Sequence, residues 1–159
     1  MNNIVETISK YKDNGLQVGL ICGCFDILHI GHIKLFQFAK KRTDKLIIGV
    51  DDDYSIKKTK GKKRPIHNQS IRLEILSTLK IIDHVFPINF NNKFGTEITD
   101  KFENLLLKLR PDILFTCILA DKYADSKKMI CDKLNIKFIP FLNKHNISTT
   151  IIEKIYLES

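Results

Sequence analysis

The chain has 159 residues, of which 43% are hydrophobic and 28% are charged, with only seven Gly and four Pro. This composition excludes a disordered or fibrous protein, and the length predicts one folded domain over residues 1–159. The apolar runs at residues 46–50 and 113–119 are too short to cross a bilayer, and no signal pattern is present at the N-terminus. We therefore expect a soluble, cytoplasmic protein without membrane partners.

The cysteines and the charge limit the kinds of site further. The four cysteines include no Cys-x-x-Cys pair and lie in apolar stretches, which predicts free thiols rather than a disulfide or a zinc site. Six of the 26 basic residues and none of the 18 acidic ones lie at residues 57–64, so most of the net charge of +8 is concentrated there. A local basic loop suits a polyphosphate substrate, whereas nucleic-acid binders more often spread charge over a face. A solvated flexible loop is the alternative on charge alone.

Helices and strands alternate along the chain. The first part predicts a helical extension at residues 1–15, a strand at 16–22, a helix at 33–41, a strand at 46–50, a helix from Asn68 to residue 79 and a strand at 84–88. The second part predicts a helix from Thr96 to residue 109, a strand at 112–116, a helix at 124–134, a strand at 137–139 and a final helix. Strands separated by such helices pair in parallel through right-handed crossovers. We predict a Rossmann-like, doubly wound α/β fold of about five strands, with helices on both faces.

Ligands of such sheets bind beyond the carboxyl ends of the strands, so the turn after the first strand is the informative one. It reads Gly-Cys-Phe-Asp-Ile-Leu-His-Ile-Gly-His at residues 23–32. Gly23 lets a ligand approach the backbone closely, and free N–H groups at a helix start attract phosphate. His29 and His32, three residues apart, are at the entry to the helix. These features together predict a phosphate-handling site.

This turn resembles the HxGH nucleotidyltransferases of the cytidylyltransferase-like family, whose pattern is G-x-F-D-x-x-H-x-G-H. The resemblance implies that His29 and His32 are catalytic. It also implies that the nucleotide is bound by Gly23, Cys24, Phe25, Asp26 and Gly31.

Two further segments extend the resemblance to about residues 18–155. The first comprises Ile147, Ser148, Thr149 and Thr150, which in the family lie beside the nucleotide phosphates, although Thr150 with Glu153 also has the spacing of a capping box. The second runs from Lys60-Gly61 to Arg64-Pro65 and resembles heptose-phosphate adenylyltransferases and glycerol-3-phosphate cytidylyltransferases. It implies that Lys60 contacts the β and γ phosphates, with Lys57 and Lys63 as alternatives.

Arg72 and Asp121 are the remaining nucleotide-binding candidates. Arg72 corresponds to the arginine that follows the basic loop in these enzymes, but an ordinary exposed helix residue is the alternative. Asp121 matches a family aspartate, although the Gly that usually precedes it is Ala120 here. The segment at residues 143–146 also lacks the arginine of the glycerol-phosphate enzymes. Because both departures fall where the base and acceptor are selected, ATP and CTP remain equal alternatives.

The resemblance implies one in-line displacement, in which an acceptor phosphate attacks the α-phosphorus of a nucleoside triphosphate and pyrophosphate leaves. Mg²⁺ is expected as the counter-ion of the triphosphate, with no metal site built from side chains. A homodimer is implied by resemblance only. Two other functions stay open: a flavin- or coenzyme-type adenylyltransferase, which would need an aromatic acceptor pocket that the sequence does not clearly show, and a non-catalytic RNA-binding module.

Overall fold

The computed structural model describes the backbone of residues 2–90 and 98–142. The helices of this part are α1 (Asn2–Asp13), α2 (Ile30–Lys40), α3 (Asp53–Lys60), α4 (Gln69–Ser77), α5 (Ile98–Leu109) and α6 (Ala124–Leu134). The strands are β1 (Val18–Gly23), β2 (Lys45–Asp51), β3 (His84–Ile88), β4 (Ile113–Cys117) and β5 (Lys137–Phe141).

The five strands form one parallel sheet in the order β3-β2-β1-β4-β5. From β1 the chain adds β2 and β3 on one side and then crosses over to add β4 and β5 on the other. This reversal creates a crevice at the carboxyl end of β1, which is where doubly wound sheets bind ligands. The predicted fold class is confirmed.

Helices cover both faces of the sheet. On one face, α1, α5 and α6 bury side chains such as Ile8, Leu106 and Cys131 against β1 and β4. On the other face, α2 and α4 bury Phe36 and Leu76 against the same sheet. The residues at 1–15 were expected to be a helical extension, but Ile8 is only 2% exposed, so α1 is part of the core.

The largest difference from the sequence prediction concerns the basic segment. Residues 57–60 are the end of helix α3 rather than part of a loop, and Gly61, with a φ of 99°, follows that helix as its C-cap. The helix forms because the Asp52 carboxylate accepts a hydrogen bond from the Ser55 amide at 2.8 Å, which satisfies a free N–H group of the first turn. Three consecutive aspartates concealed this cap in the sequence.

The other elements agree with the prediction to within a few residues at their ends. Helix α2 begins at Ile30, three residues earlier than expected, because His29 caps it. Strand β5 continues to Phe141 because Pro140 and Phe141 pair with the end of β4. The predicted helix start at Thr96 and the final helix lie outside the described residues.

Candidate active site

The two histidines of the turn after β1 are stacked on each other. Their ring centroids are 3.9 Å apart with an interplanar angle of 26°. His29 is the N-cap of α2, and its Nδ1 accepts a hydrogen bond from the Gly31 amide at 3.2 Å. Since Nδ1 is an acceptor, the neutral His29 ring carries its proton on Nε2. The structure thus brings into contact the two histidines that the resemblance implies are catalytic.

Both imidazoles are held in the neutral form. Burial lowers the pKa of His32 to about 3, with further contributions from His29 and Lys60. Burial and the Lys60 charge also lower the pKa of His29. Within the described part of the chain, the buried Nδ1 of His32 has no hydrogen-bond partner. The pair thus offers neutral N–H donors at neutral pH.

Phe25 fixes one side of this pair. Its φ is 49°, a left-handed conformation that bulky side chains rarely adopt, and only 5% of the residue is exposed. The ring centroid of Phe25 lies 5.3 Å from that of His32, edge to face. A Cβ added to Gly23 would lie 3.1 Å from the Phe25 ring, so Gly23 makes room for the ring. The nucleotide contacts expected of both residues stay a prediction, and the structure shows in addition that Gly23 and Phe25 pack beside His32.

Asp26 is buried and connects the turn after β1 to the segment that precedes α4. Its carboxylate accepts hydrogen bonds from the Ile66 and His67 amides at 2.8 and 2.9 Å and pairs with Arg64 at 2.9 Å. Burial alone would raise the pKa of Asp26, but these three donors hold it below its usual value. The sequence placed Asp26 at the nucleotide. In the structure its carboxylate instead faces protein groups.

Arg72 has no exposed surface, so the alternative of an ordinary exposed helix residue is wrong. Its guanidinium lies at the carboxyl ends of β1 and β2, where the protein supplies every hydrogen-bond acceptor that it contacts. Those acceptors are the carbonyl oxygens of Cys24, Asp51 and His67 and the carboxylate of Asp53. Arg72 therefore holds the turn after β1 against the end of β2, which is a different task from the nucleotide contact expected from the sequence.

A cavity of about 90 Å³ lies at the carboxyl ends of β1 and β2, and neither His29 nor His32 lines it. Cys24 and Lys60 line it, and the charge of Lys60 also lowers the pKa of both histidines, so Lys60 is the residue that relates the cavity to the pair. Lys57 and Lys63, the alternatives to Lys60, are exposed and do not line the cavity. Of the three lysines, Lys60 is thus the one that the fold places at the candidate site.

Lys127, which lines the cavity, forms a largely buried ion pair with a residue behind the cavity wall. Lys127 of α6 lies 2.6 Å from Asp121, which also accepts hydrogen bonds from Thr116 and from the Tyr123 amide. Burial acts to lower the pKa of Lys127, but Asp121 raises it above the usual value. The sequence selected Asp121 as a nucleotide contact. In the structure its carboxylate is engaged by these protein donors.

Sequence reasoning missed most of the cavity wall. Asp51, Phe90, Phe102, Tyr123 and Lys127 all line the cavity. They come from β2, α5, α6 and the segments after β3 and β4, and no short motif joins them. The signal that could have found Asp51 is its position at the carboxyl end of a parallel strand. Ile147, Ser148, Thr149 and Thr150, which the resemblance places at the phosphates, lie outside the described residues.

The sequence model described as cytidylyltransferase-like matches residues 20–155. This match covers the histidine turn, the cavity, strands β2 to β5 and all of β1 except its first two residues. The chain belongs to the cytidylyltransferase-like family. Helix α1 precedes the matched region, although it packs against the same core.

Curated relatives of this cytidylyltransferase-like chain include bifunctional HldE proteins. The protein of Haemophilus influenzae is 33% identical over 154 residues, which is 96% of this chain and 30% of the relative. The protein of Nitrobacter winogradskyi is 42% identical over 107 residues, which is 67% of this chain and 20% of the relative. The chain thus spans less than a third of the length of these relatives, and corresponds to one part of a larger protein in each.

Two solved structures share the cytidylyltransferase-like architecture. A lipopolysaccharide core biosynthesis protein from Thermoplasma volcanium superposes with a TM-score of 0.65 at 25% identity, over 82% of this chain and 99% of that one. A pantoate-beta-alanine ligase from Francisella tularensis superposes with a TM-score of 0.58 at 16% identity, over 96% of this chain and 76% of that one, and shows the fold alone. Within residues 2–90 and 98–142, no helix is long and apolar enough to span a membrane.

Proposed function

We propose that the chain is a nucleotidyltransferase that transfers AMP or CMP from the magnesium complex of ATP or CTP to the phosphate of a small sugar or polyol, releasing pyrophosphate. The observation that carries the proposal is the stacked pair of neutral histidines at the carboxyl end of β1, whose pKa values are lowered by burial and by the charge of Lys60, a residue that lines the cavity. The HldE relatives support ATP and a heptose phosphate over CTP and glycerol 3-phosphate.

The proposed step is an in-line displacement. An oxygen of the acceptor phosphate forms a bond to the α-phosphorus, and the bond from that phosphorus to the bridging oxygen of the β-phosphate breaks. Negative charge then spreads over the transferring group and the leaving pyrophosphate. Donors that are already oriented stabilise that charge without reorganising. His29, His32 and Lys60 are the donors that this chain offers.

The protonation of the pair fits this task. Nδ1 of His29 already accepts a hydrogen bond from the Gly31 amide, so its Nε2–H is the group that can donate a hydrogen bond to a phosphate oxygen. A neutral imidazole has one N–H group with which it can donate a hydrogen bond to a phosphate oxygen. Lys60 supplies the positive charge, which a flexible ammonium can bring to the β and γ phosphates.

Magnesium enters as part of the triphosphate substrate. Within the described residues, no group of three or more His, Cys, Asp or Glu side chains could hold a metal ion. Phosphate oxygens and water are the ligands that Mg²⁺ usually keeps in such complexes. The homodimer implied by family resemblance stays a prediction.

The test is pyrophosphate release from purified protein, Mg²⁺, ATP or CTP and a panel of phosphorylated acceptors, including a heptose 1-phosphate, glycerol 3-phosphate and phosphocholine. We expect turnover with one pair and a loss of about 10²- to 10³-fold in rate for His32→Ala, because a phosphate donor is removed. Ile30→Ala, an exposed position in the same turn, is the matched control and should keep near wild-type activity.

The same assay separates the proposal from its alternatives. Turnover with a flavin or coenzyme precursor, and with no sugar or polyol phosphate, would favour that other class of adenylyltransferase. No turnover with any pair, together with tight and salt-sensitive binding of RNA, would refute enzyme function and favour the RNA-binding module.

A further inference from the structure

Asp51 places an unengaged carboxylate in the cavity. It is the last residue of β2, and its side chain has no hydrogen bond or ion pair with any residue in the described ranges 2–90 and 98–142. Its neighbours Asp52 and Asp53 differ in this respect. Asp52 accepts hydrogen bonds from Ser55 and Phe90, and Asp53 pairs with Arg72. Its oxygens are not fully buried, so a ligand in the cavity can donate hydrogen bonds to the Asp51 carboxylate.

The charges around the cavity restrict what that ligand can be. Lys127 is paired with Asp121, and Arg72 is paired with Asp53. Lys60 has no ion pair among the described residues, which leaves it as the surplus cation at the rim, while Asp51 is the surplus anion inside. Lys60 is thus available to the phosphates of the reaction, and Asp51 suits a hydrogen-bond donor on the part of the acceptor that enters the cavity.

The cations near Asp51 favour a ligand with a neutral hydrogen-bond donor over a ligand with a positively charged one. Burial raises the pKa of the Asp51 carboxyl, while Lys127, Arg72 and Lys60 act in the opposite direction. All three are close enough to affect Asp51, so an ammonium group brought to this carboxylate would also face their positive charges. A hydroxyl group donates a hydrogen bond to the carboxylate without that repulsion.

The remaining walls fit the carbon skeleton of such an acceptor. Phe90, Phe102 and Tyr123 line the cavity with Ile56 and Ile130. The C–H faces of a polyol or sugar pack on aromatic and aliphatic walls, and a few polar groups among apolar walls are what orients a small ligand. The ring of Phe102 is already 5.0 Å from the Lys127 ammonium, which makes it less suited to a second cation.

Resting on the proposed function, we propose that Asp51 determines acceptor specificity by accepting hydrogen bonds from the hydroxyl groups of the neutral polyol or sugar moiety of the acceptor. Asp51 thus selects hydroxylated phosphates over alkyl phosphates of the same size and over aminoalkyl phosphates. The hydroxyls supply the donors that the protein does not provide.

The test measures acceptor binding directly, so that it does not depend on turnover. Wild type and Asp51→Asn are titrated calorimetrically, with Mg²⁺ and a non-hydrolysable ATP or CTP analogue, against two matched pairs: heptose 1-phosphate with cyclohexyl phosphate, and glycerol 3-phosphate with propyl phosphate. Phosphoethanolamine is the cationic probe. Asp132→Asn, which changes an exposed aspartate of α6, is the control.

In wild type, one hydroxylated phosphate should bind at least about tenfold more tightly than its matched alkyl phosphate, since hydrogen bonds to a charged group are among the stronger ones. In Asp51→Asn this preference should fall to within about threefold, with the affinity for the triphosphate analogue unchanged. Asp132→Asn should behave as wild type. Asp51→Ala serves as a second variant, and neither change should lower the melting temperature, because the carboxylate has no protein donor to lose.

Three results would overturn the proposal: equal binding of each matched pair by wild type, a preference retained in both Asp51 variants, or tighter binding of phosphoethanolamine than of every hydroxylated phosphate. These outcomes differ from a failure of the proposed function. That failure would be acceptor binding with the expected preference but no release of pyrophosphate from ATP or CTP.

Discussion

His29 and His32 differ in what the fold does with their ring nitrogens. The Gly31 amide occupies Nδ1 of His29, whereas the buried Nδ1 of His32 has no hydrogen-bond partner in the described residues. Phe25 and His29 enclose the His32 ring from two sides. The sequence spacing alone does not distinguish the two histidines. Their environments do, because the pKa of His32 is lowered the more strongly of the two.

The lowered pKa of His32 leads to a direct prediction. We expect its ring protons to keep the chemical shifts of a neutral imidazole from pH 8 down to about pH 4, because burial lowers its pKa to about 3. NMR titration of the histidine Cε1–H signals measures this, and the spectrum of His32→Asn assigns the signal. A midpoint near 6.5, the ordinary value, would show that the ring is hydrated in solution.

Helix α3 and the segment after it connect the candidate site to the rest of the sheet. Asp52 is the N-cap of α3. It also accepts a hydrogen bond from the Phe90 amide at 2.9 Å, which joins the helix to the segment after β3. At the other end of the segment, Asp26 holds the Ile66 and His67 amides. Buried carboxylates thus bind each end of the basic segment to the turn or to the sheet. This arrangement places Lys60 at the cavity.

Arg72 connects the ends of β1 and β2, so its replacement should have a large effect on the free energy of unfolding. We expect Arg72→Lys to lower the free energy of unfolding by about 2 kcal/mol, because an ammonium keeps the charge but cannot reach all four acceptors of the planar guanidinium. Urea unfolding measures the change. Arg110→Lys, at an exposed position, is the matched control and should stay within about 0.5 kcal/mol of wild type. Equal effects of the two changes would argue against Arg72 as the link between β1 and β2.

At the scale of the whole molecule, helices bury both faces of the sheet and its carboxyl edge gathers the titratable groups. Asp26, Asp121, Lys127 and the histidine pair all lie at or near this edge. Their burial is possible because the protein supplies partners for the carboxylates and keeps the imidazoles neutral. The stability of the molecule is therefore linked to pH through the candidate site.

We predict that acid destabilises the protein in two stages. From about pH 6.5 downward, the unfolded chain binds protons at His29 and His32 that the folded chain does not, because both folded-state pKa values are lowered, so stability is lost as the pH falls. Below about pH 4, the carboxyls of Asp26, Asp83 and Asp121 add to the loss, since their pKa values are also lowered. Asp51, whose pKa is raised, acts in the opposite direction.

Urea unfolding at pH 7, 6, 5 and 4.5 tests the first stage. The double variant His29→Asn/His32→Asn keeps a good helix cap at position 29 and has no imidazole to protonate at either site. Its free energy of unfolding should fall less than that of wild type over this range. Parallel curves for the two proteins would mean that the histidines do not carry the acid sensitivity.

Much of the fold and the location of the site could be predicted from the sequence because they depend on local signals. The alternation of strand-like and helix-like segments indicated five parallel strands. The ten-residue window at 23–32 contained the six-position pattern that identified the family. Helix α3 was missed because its start depends on one cap among three consecutive aspartates. Such choices are decided by a few hydrogen bonds, which composition does not reveal.

Tertiary structure alone decided which side chains meet. Phe25, Asp26 and Arg72 match the family pattern in sequence, yet their side chains pack in the core or bond to protein groups. Asp51 belongs to no motif, yet its side chain has no donor among the described residues and lines the cavity. A motif specifies residue types along the chain, whereas burial and hydrogen bonding depend on segments that are distant in sequence. The sequence by itself therefore determined the family, and the packing of β2, α5 and α6 around one cavity decided which groups line that cavity.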